Sequence, residues 1–169
     1  CTGFANDLTI PNKIVTINSK AFSGCGFEGN LTLSTNIKNI DDYAFYGLRK
    51  IKGISKFGPN IARIGNNAFA YCSSLNCELN FEDCKGDTLS IRDQAFYCCS
   101  SLFGTLKFPE NVTYIGAGAF AYCSGFTQLS LNYGKLTMIG NRAFFHCSGF
   151  KNSLYIPSYV TEIGDEAFS

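Results

Sequence analysis

The chain has 169 residues, 46% of them apolar and only 16% charged, with a formal net charge of +1. That length supports a domain-sized core, and that apolar share excludes a disordered chain. The near-neutral balance excludes a basic field for nucleic acid, and apolar runs of only a few residues exclude a membrane-spanning helix.

Read from its start, the chain opens at Cys1 with no initiator methionine, signal peptide or transit sequence. A lipid-carrying first cysteine is one reading of that start. The segment Cys1-Thr2-Gly3-Phe4, however, matches Cys123-Ser124-Gly125-Phe126 and Cys147-Ser148-Gly149-Phe150, which makes Cys1 a repeat position. An alternating triplet follows, Leu8-Thr9-Ile10, and it recurs as Leu31-Thr32-Leu33, Leu106-Lys107-Phe108, Leu129-Ser130-Leu131 and Leu154-Tyr155-Ile156. A period of two predicts a short strand whose middle residue faces solvent. Next stand Ile17, Ile40, Ile64, Ile91, Ile115, Ile139 and Ile163, each five residues before a Phe that follows Ala. Those phenylalanines are Phe22, Phe45, Phe69, Phe96, Phe120, Phe144 and Phe168, at intervals of 23, 24, 27, 24, 24 and 24. Three residues after the Phe comes Cys25, Leu48, Cys72, Cys99, Cys123 or Cys147.

The spacing predicts one solenoid domain over residues 1–169, with windings at roughly 8–30, 31–53, 54–77, 78–105, 106–128, 129–153 and 154–169. No winding can bury its apolar positions alone, so neighbours bury them for it. The triplets are expected to stack into a parallel sheet on one wall, and the Ile-G-x-x-A-F-x-x-C stretch to form a bend and one helical or 3₁₀ turn on the other. The residue after each Ile is Asn18, Asp41, Gly65, Arg92, Gly116, Gly140 or Gly164, mostly types that tolerate positive φ. A left-handed backbone position is expected there. Between Phe81 and Asp87 the longer fourth winding should bulge.

The pattern L-x-I-P-x-x-V-x-x-I-G-x-x-A-F-x-x-C resembles the BspA-like, Treponema-type leucine-rich repeat. The stretch Leu154-Tyr155-Ile156-Pro157 through Val160, Ile163, Gly164, Ala167 and Phe168 fits it, as does Leu106 to Cys123. The resemblance covers essentially the whole chain; Leu48 in place of Cys and the longer fourth winding depart from it. It implies a right-handed solenoid on surface proteins of anaerobic bacteria and of parasitic or commensal protists, acting as adhesins and interaction scaffolds. Both ends fall inside a repeat, so further flanking repeats or end-to-end stacking of subunits into a filament or tube are the two expectations.

Little in the sequence points to chemistry. Of nine cysteines, six fall in the repeat register and are expected as reduced core thiols. Cys77, Cys84 and Cys98 gather round the bulge, where an extracellular protein has room for a disulfide, with Cys77–Cys84 stapling the bulge and Cys84–Cys98 the rival pairing. No Cys-x-x-Cys pair suggests zinc, and His146, the single histidine, belongs on an exposed ridge. Asp41-Asp42 and Asp165-Glu166 read as solvated turn residues, and no phosphate-binding glycine loop occurs. Sequons stand at Asn30 and Asn111. The candidate binding face is the outward strand row, with Thr9, Thr32, Asn80, Lys107, Gln128, Ser130 and Tyr155. A second candidate is the aromatic ridge of Tyr46, Tyr71, Tyr97, Tyr122 and Phe145. Together these predict a non-catalytic, cofactor-free scaffold, and the resemblance implies that it is extracellular or on a cell surface. Its partner would be a protein, a glycan, or further copies of itself end to end.

Overall fold

The computed structural model describes residues 6–131 and 134–169; Cys1 and the Cys1–Phe4 match lie outside them. The Ile positions form a parallel seven-stranded sheet. Its strands are β2 (Thr16–Ile17), β4 (Asn39–Ile40), β6 (Arg63–Ile64), β7 (Leu89–Ile91), β9 (Val112–Ile115), β11 (Met138–Ile139) and β12 (Glu162–Ile163). Each Ile lies against the next, from Ile17↔Ile40 to Ile139↔Ile163, because successive windings keep one register.

The Leu-x-Ile triplets form the second wall, and there the ladder is broken. β1 (Leu8–Thr9), β3 (Asn30–Thr32) and β5 (Gly53–Ile54) make one parallel sheet; β8 (Gly104–Lys107) and β10 (Phe126–Ser130) make another. A single bridge, Asn80↔Lys107, links the fourth winding to β8. Side chains replace the missing backbone partners. Ser55 Oγ accepts the Leu33 N–H at 2.8 Å. The Asn152 carboxamide accepts from Leu129 N at 3.1 Å and donates to Leu129 O at 3.0 Å. The continuous sheet thus lies at the Ile positions, where a bend was expected, and not at the triplets.

The third wall contains no helix among the described residues. Each winding instead runs through consecutive β-turns, as in Ala44 N–H to Asp41 O at 3.2 Å and Tyr46 N–H to Tyr43 O at 3.2 Å. The alternate N–H groups leave the winding: Tyr43 donates to Asn66 O, Phe45 to Ala68 O and Gly47 to Ala70 O, all at 2.8 Å. Positive φ makes this possible. It occurs three residues after each Ile (Lys20, Tyr43, Asn67, Gln94, Gly118, Arg142 and Glu166) and two after each Phe (Gly24, Gly47, Tyr71, Cys98, Tyr122 and His146). A left-handed residue tips its peptide along the solenoid axis, so the chain pairs with its neighbour and no α-helical i→i+4 bond can form.

The left-handed position expected directly after Ile is therefore displaced by two residues. Gly65, Gly116, Gly140 and Gly164 serve a different purpose. A Cβ added at any of them would lie 2.4–2.7 Å from backbone atoms of the preceding winding. They permit close approach of chains, and their φ is ordinary.

The seven phenylalanines line up in one column. Successive ring centroids from Phe22 to Phe168 are 5.0–5.6 Å apart, with planes within 16° of parallel. A second stack, Phe57, Phe81 and Phe108, meets this column edge-on, as in Phe57–Phe69 at 6.2 Å and 84°. Phe81 begins the bulge, so the inserted segment still contributes a ring to the core.

Replacing Phe96 by Ala deletes a fully buried ring stacked on both Phe69 and Phe120. It should destabilise the fold by about 3–5 kcal/mol in chemical denaturation. A loss under about 1 kcal/mol would contradict the shared column.

Candidate functional site

The repeat positions that look interchangeable in sequence carry distinct hydrogen-bonding duties. In the register after Phe, Cys72, Cys99, Cys123 and Cys147 place Sγ 3.0–3.3 Å from the Phe45, Phe69, Phe96 and Phe120 carbonyls of the preceding winding. The bulge repeats the device, with Cys84 Sγ 3.8 Å from Phe57 O. A thiol can donate weakly to a buried carbonyl, which a purely apolar residue of similar size cannot do. Burial pushes the Cys84 and Cys147 thiols up to about 12 and raises Cys99 and Cys123 well above the ordinary thiol range.

Cys77, Cys84 and Cys98 are free thiols in this structure. Cys84 is buried against the core, whereas Cys98 lies on the aromatic ridge beside Tyr97. The bulge is held differently. Asn111 Nδ2 donates to Gly86 O at 2.8 Å, and Cys84 N to Phe81 O at 3.0 Å. In the folded chain the Asn111 sequon nitrogen is thus engaged with the Gly86 carbonyl. Asn30 is exposed on β3.

A row of Asx residues two positions after Ile escaped the sequence reading, which took Asp42 and its equivalents for solvated turns. Asp42 Oδ1 accepts Asn66 N at 2.9 Å, Asn66 Oδ1 accepts Asp93 N at 3.1 Å, and Asp93 Oδ1 accepts Ala117 N at 3.0 Å. Asn141 Oδ1 accepts Asp165 N at 2.9 Å. Ala117 interrupts the row, having no oxygen to offer Asn141. The signal was legible: Asp or Asn recurs there in five of the seven windings, at Asp42, Asn66, Asp93, Asn141 and Asp165. Arg63 joins two windings on the same wall, donating to Asp41 Oδ1 at 2.7 Å and Asp42 Oδ1 at 2.6 Å.

The strand-wall candidates separate into groups. Thr9 and Thr32 are adjacent partners at one end of the wall. Asn80 and Lys107 meet across the single bridge beside the bulge. Gln128, Ser130 and Tyr155 are brought together, with Thr105, Asn152 and Ser153, round a depression of about 300 Å³. Thr105 Oγ1 donates to Gln128 Oε1 at 3.2 Å, and Lys107 pairs with Ser130 at the margin. Tyr155 is 54% exposed and supplies the one aromatic surface of the depression. Asn152 is the member that sequence reasoning missed, since it falls outside the alternating positions.

The aromatic ridge is a packed ladder. Tyr46, Tyr71, Tyr97, Tyr122 and Phe145 succeed one another at 5.4–5.6 Å with planes 68–79° apart. The rings alternate between one and two positions after the core Phe. Where the first position is aromatic the second is small at Gly47 and Cys98; where the first is Ala70 or Ala121, the second is tyrosine. That zigzag creates the edge-to-face geometry that aromatic quadrupoles favour. His146 joins it, stacked on Tyr122 at 5.2 Å and edge-on to Phe145. The ridge therefore ties windings together. Among the described residues, no three His, Cys, Asp or Glu side chains converge as a metal site, and no helix is long and apolar enough to cross a membrane.

Stacked parallel windings, an unbroken aromatic interior and a neutral strand wall define a leucine-rich-repeat solenoid, a fold that generally serves as a scaffold. The BspA-type leucine-rich repeat model matches residues 2–85 and 55–169 in six copies, and the chain belongs to that family. Among solved structures it is similar to a leucine-rich cell surface protein of Faecalibacterium prausnitzii, at 26% identity and TM-score 0.77. That match covers 99% of this chain and 45% of the other, so the chain spans less than half of that protein. A leucine-rich repeat protein of Treponema pallidum shares the fold at 24% identity and TM-score 0.79, over 96% of this chain and 74% of its own. So does one of Bacteroides ovatus, at 22% and 0.73, over 96% and 49%. A comparison with curated proteins returns no match.

Two outcomes follow from the hydrogen-bond duties. Ala117→Asn should restore the missing acceptor for Asn141 N–H and raise stability by about 0.5–1.5 kcal/mol in denaturant titration. The thiols set a pH limit. Their folded values are raised, so the stability they confer is complete below the unfolded thiol value of about 8.5 and is lost as the solution approaches about pH 12. Stability measured by urea titration should fall above pH 8.5, and Cys147→Ala should make that fall shallower; an unchanged slope refutes the assignment.

Proposed function

We propose that this chain is a non-catalytic recognition scaffold displayed at a cell surface, binding a protein or glycan through the strand wall around Gln128, Ser130 and Tyr155. The observation that carries this reading is the depression on that wall. Three windings there bring unlike neutral groups (an amide, hydroxyls and an exposed phenol) to one place. Hydrogen-bonding groups held by a rigid array lose little freedom on binding, and an exposed tyrosine is the residue type that anchors interfaces. The sparse charge of the wall suits a neutral polar ligand. The likeness to a bacterial cell surface protein supports the location. A catalytic role would need a nucleophile held against a base, and the single histidine is committed to the Tyr122–Phe145 ladder.

The test is binding of the purified chain to arrays of glycans and of immobilised extracellular proteins. Tyr155→Ala and Gln128→Ala should each weaken the strongest interaction about tenfold or more, roughly 1.4 kcal/mol. Thr16→Ala, on the opposite sheet, should leave it unchanged. Equal binding by the Tyr155 and Gln128 variants would remove this wall as the recognition face.

A further inference from the structure

The fourth winding departs from the repeat, and the departure leaves a cavity of about 560 Å³ between the bulge and the turn that follows β8. Its size lies within the ordinary range for small-molecule sites. Phe81, Phe108 and Pro109 form an apolar floor, and the Asn111 carboxamide stands among the lining groups. The rim is charged, in a protein that is otherwise sparsely so. Glu82, Lys85, Lys107 and Glu110 line the cavity, and none of them enters an ion pair among the described residues. Elsewhere opposite charges on successive windings do pair, as Arg63 with Asp41 and Asp42, and Arg142 with Glu166.

Two cations and two carboxylates outside any ion pair, with Glu82 accepting only from Asn80 Nδ2 at 3.4 Å, surround an apolar floor and define a ligand by complementarity. We propose that this cavity binds a small zwitterion, a free amino acid or a dipeptide. The ligand carboxylate lies between Lys85 and Lys107, its ammonium faces Glu82 and Glu110, and an apolar side chain covers Phe81, Phe108 and Pro109. A neutral sugar would leave all four rim charges without partners. A polyanion such as a nucleotide would meet two carboxylates. The interior of a peptide chain lacks both termini. A zwitterion satisfies both signs at once within a small molecule, and does so where unlike residues from two windings converge. The site is separate from the Gln128–Tyr155 depression, although Lys107 stands near both.

The experiment is calorimetric and saturation-transfer NMR titration of the full chain with L-leucine and glycyl-L-leucine, against N-acetyl-L-leucine amide, which has the same side chain and no charge. Either zwitterion should bind at least tenfold more tightly than the capped compound, with affinity falling as salt is raised; which of the two binds better separates amino-acid from dipeptide recognition. Lys107→Gln and Glu110→Gln should each reduce binding about tenfold or more while leaving the circular dichroism spectrum and melting temperature unchanged. Tyr155→Ala should bind the zwitterion as the parent does, so failure here and failure of the strand-wall reading are distinguishable. Binding of neither zwitterion, equal binding of the capped compound, or full binding by both rim variants overturns the proposal.

Discussion

The structure depends on one constraint: the polar backbone of the turn wall cannot be satisfied within a winding. Every second peptide there points along the solenoid axis, so its N–H finds a carbonyl only in the next winding, as Phe69 N does at Ala95 O, 2.7 Å away. Buried backbone groups left unpaired are costly, which makes the spacing and register of neighbouring windings a matter of hydrogen-bond satisfaction. The phenylalanine column follows. From Phe22 to Phe144, each Phe in it sits on a peptide whose N–H is fixed to the winding beyond, and its ring lands on the ring beyond for the same reason.

The side chains at recurring positions complete what the backbone leaves undone. Cysteine thiols reach the Phe carbonyls, Asx oxygens take the N–H groups beside the Ile sheet, and glycine after Ile lets the chains approach closely enough for these contacts. Thr137 and Thr161 extend the logic, each donating through Oγ1 at 3.2 Å to the carbonyl of the threonine one winding back. Much of the repeat is thus a hydrogen-bonding specification as well as a hydrophobic one. A buried cysteine in this register acts as a small donor, a role that requires the reduced thiol.

Regularity also limits function. A strict repeat places like beside like, which suits a long stable wall and gives few sites where different groups converge. Unlike groups meet at two departures from the pattern. One is the depression where Asn152 substitutes for a strand partner; the other is the bulge, which keeps Phe81 and Cys84 in the core while leaving charges of both signs around a cavity. In such an array unlike groups converge at the irregularities, and the regular windings hold them rigidly in place.

The side-chain period alone determined the solenoid, the number of windings, the Phe column and the outward-facing strand row, because inward apolar positions recur in the sequence whatever the backbone does between them. The direction of the peptides was decided only in three dimensions. Positive φ falls on Lys20, Tyr43, Asn67, Gln94, Arg142 and Glu166, residue types with no common mark, since the bond to the next winding offsets the strain that glycine would otherwise relieve. For the same reason the turn wall could be taken for a helix, and the glycines after Ile for left-handed positions. Which windings break their ladder, and which side chains then meet, depends on contacts some two dozen residues apart that no local pattern records.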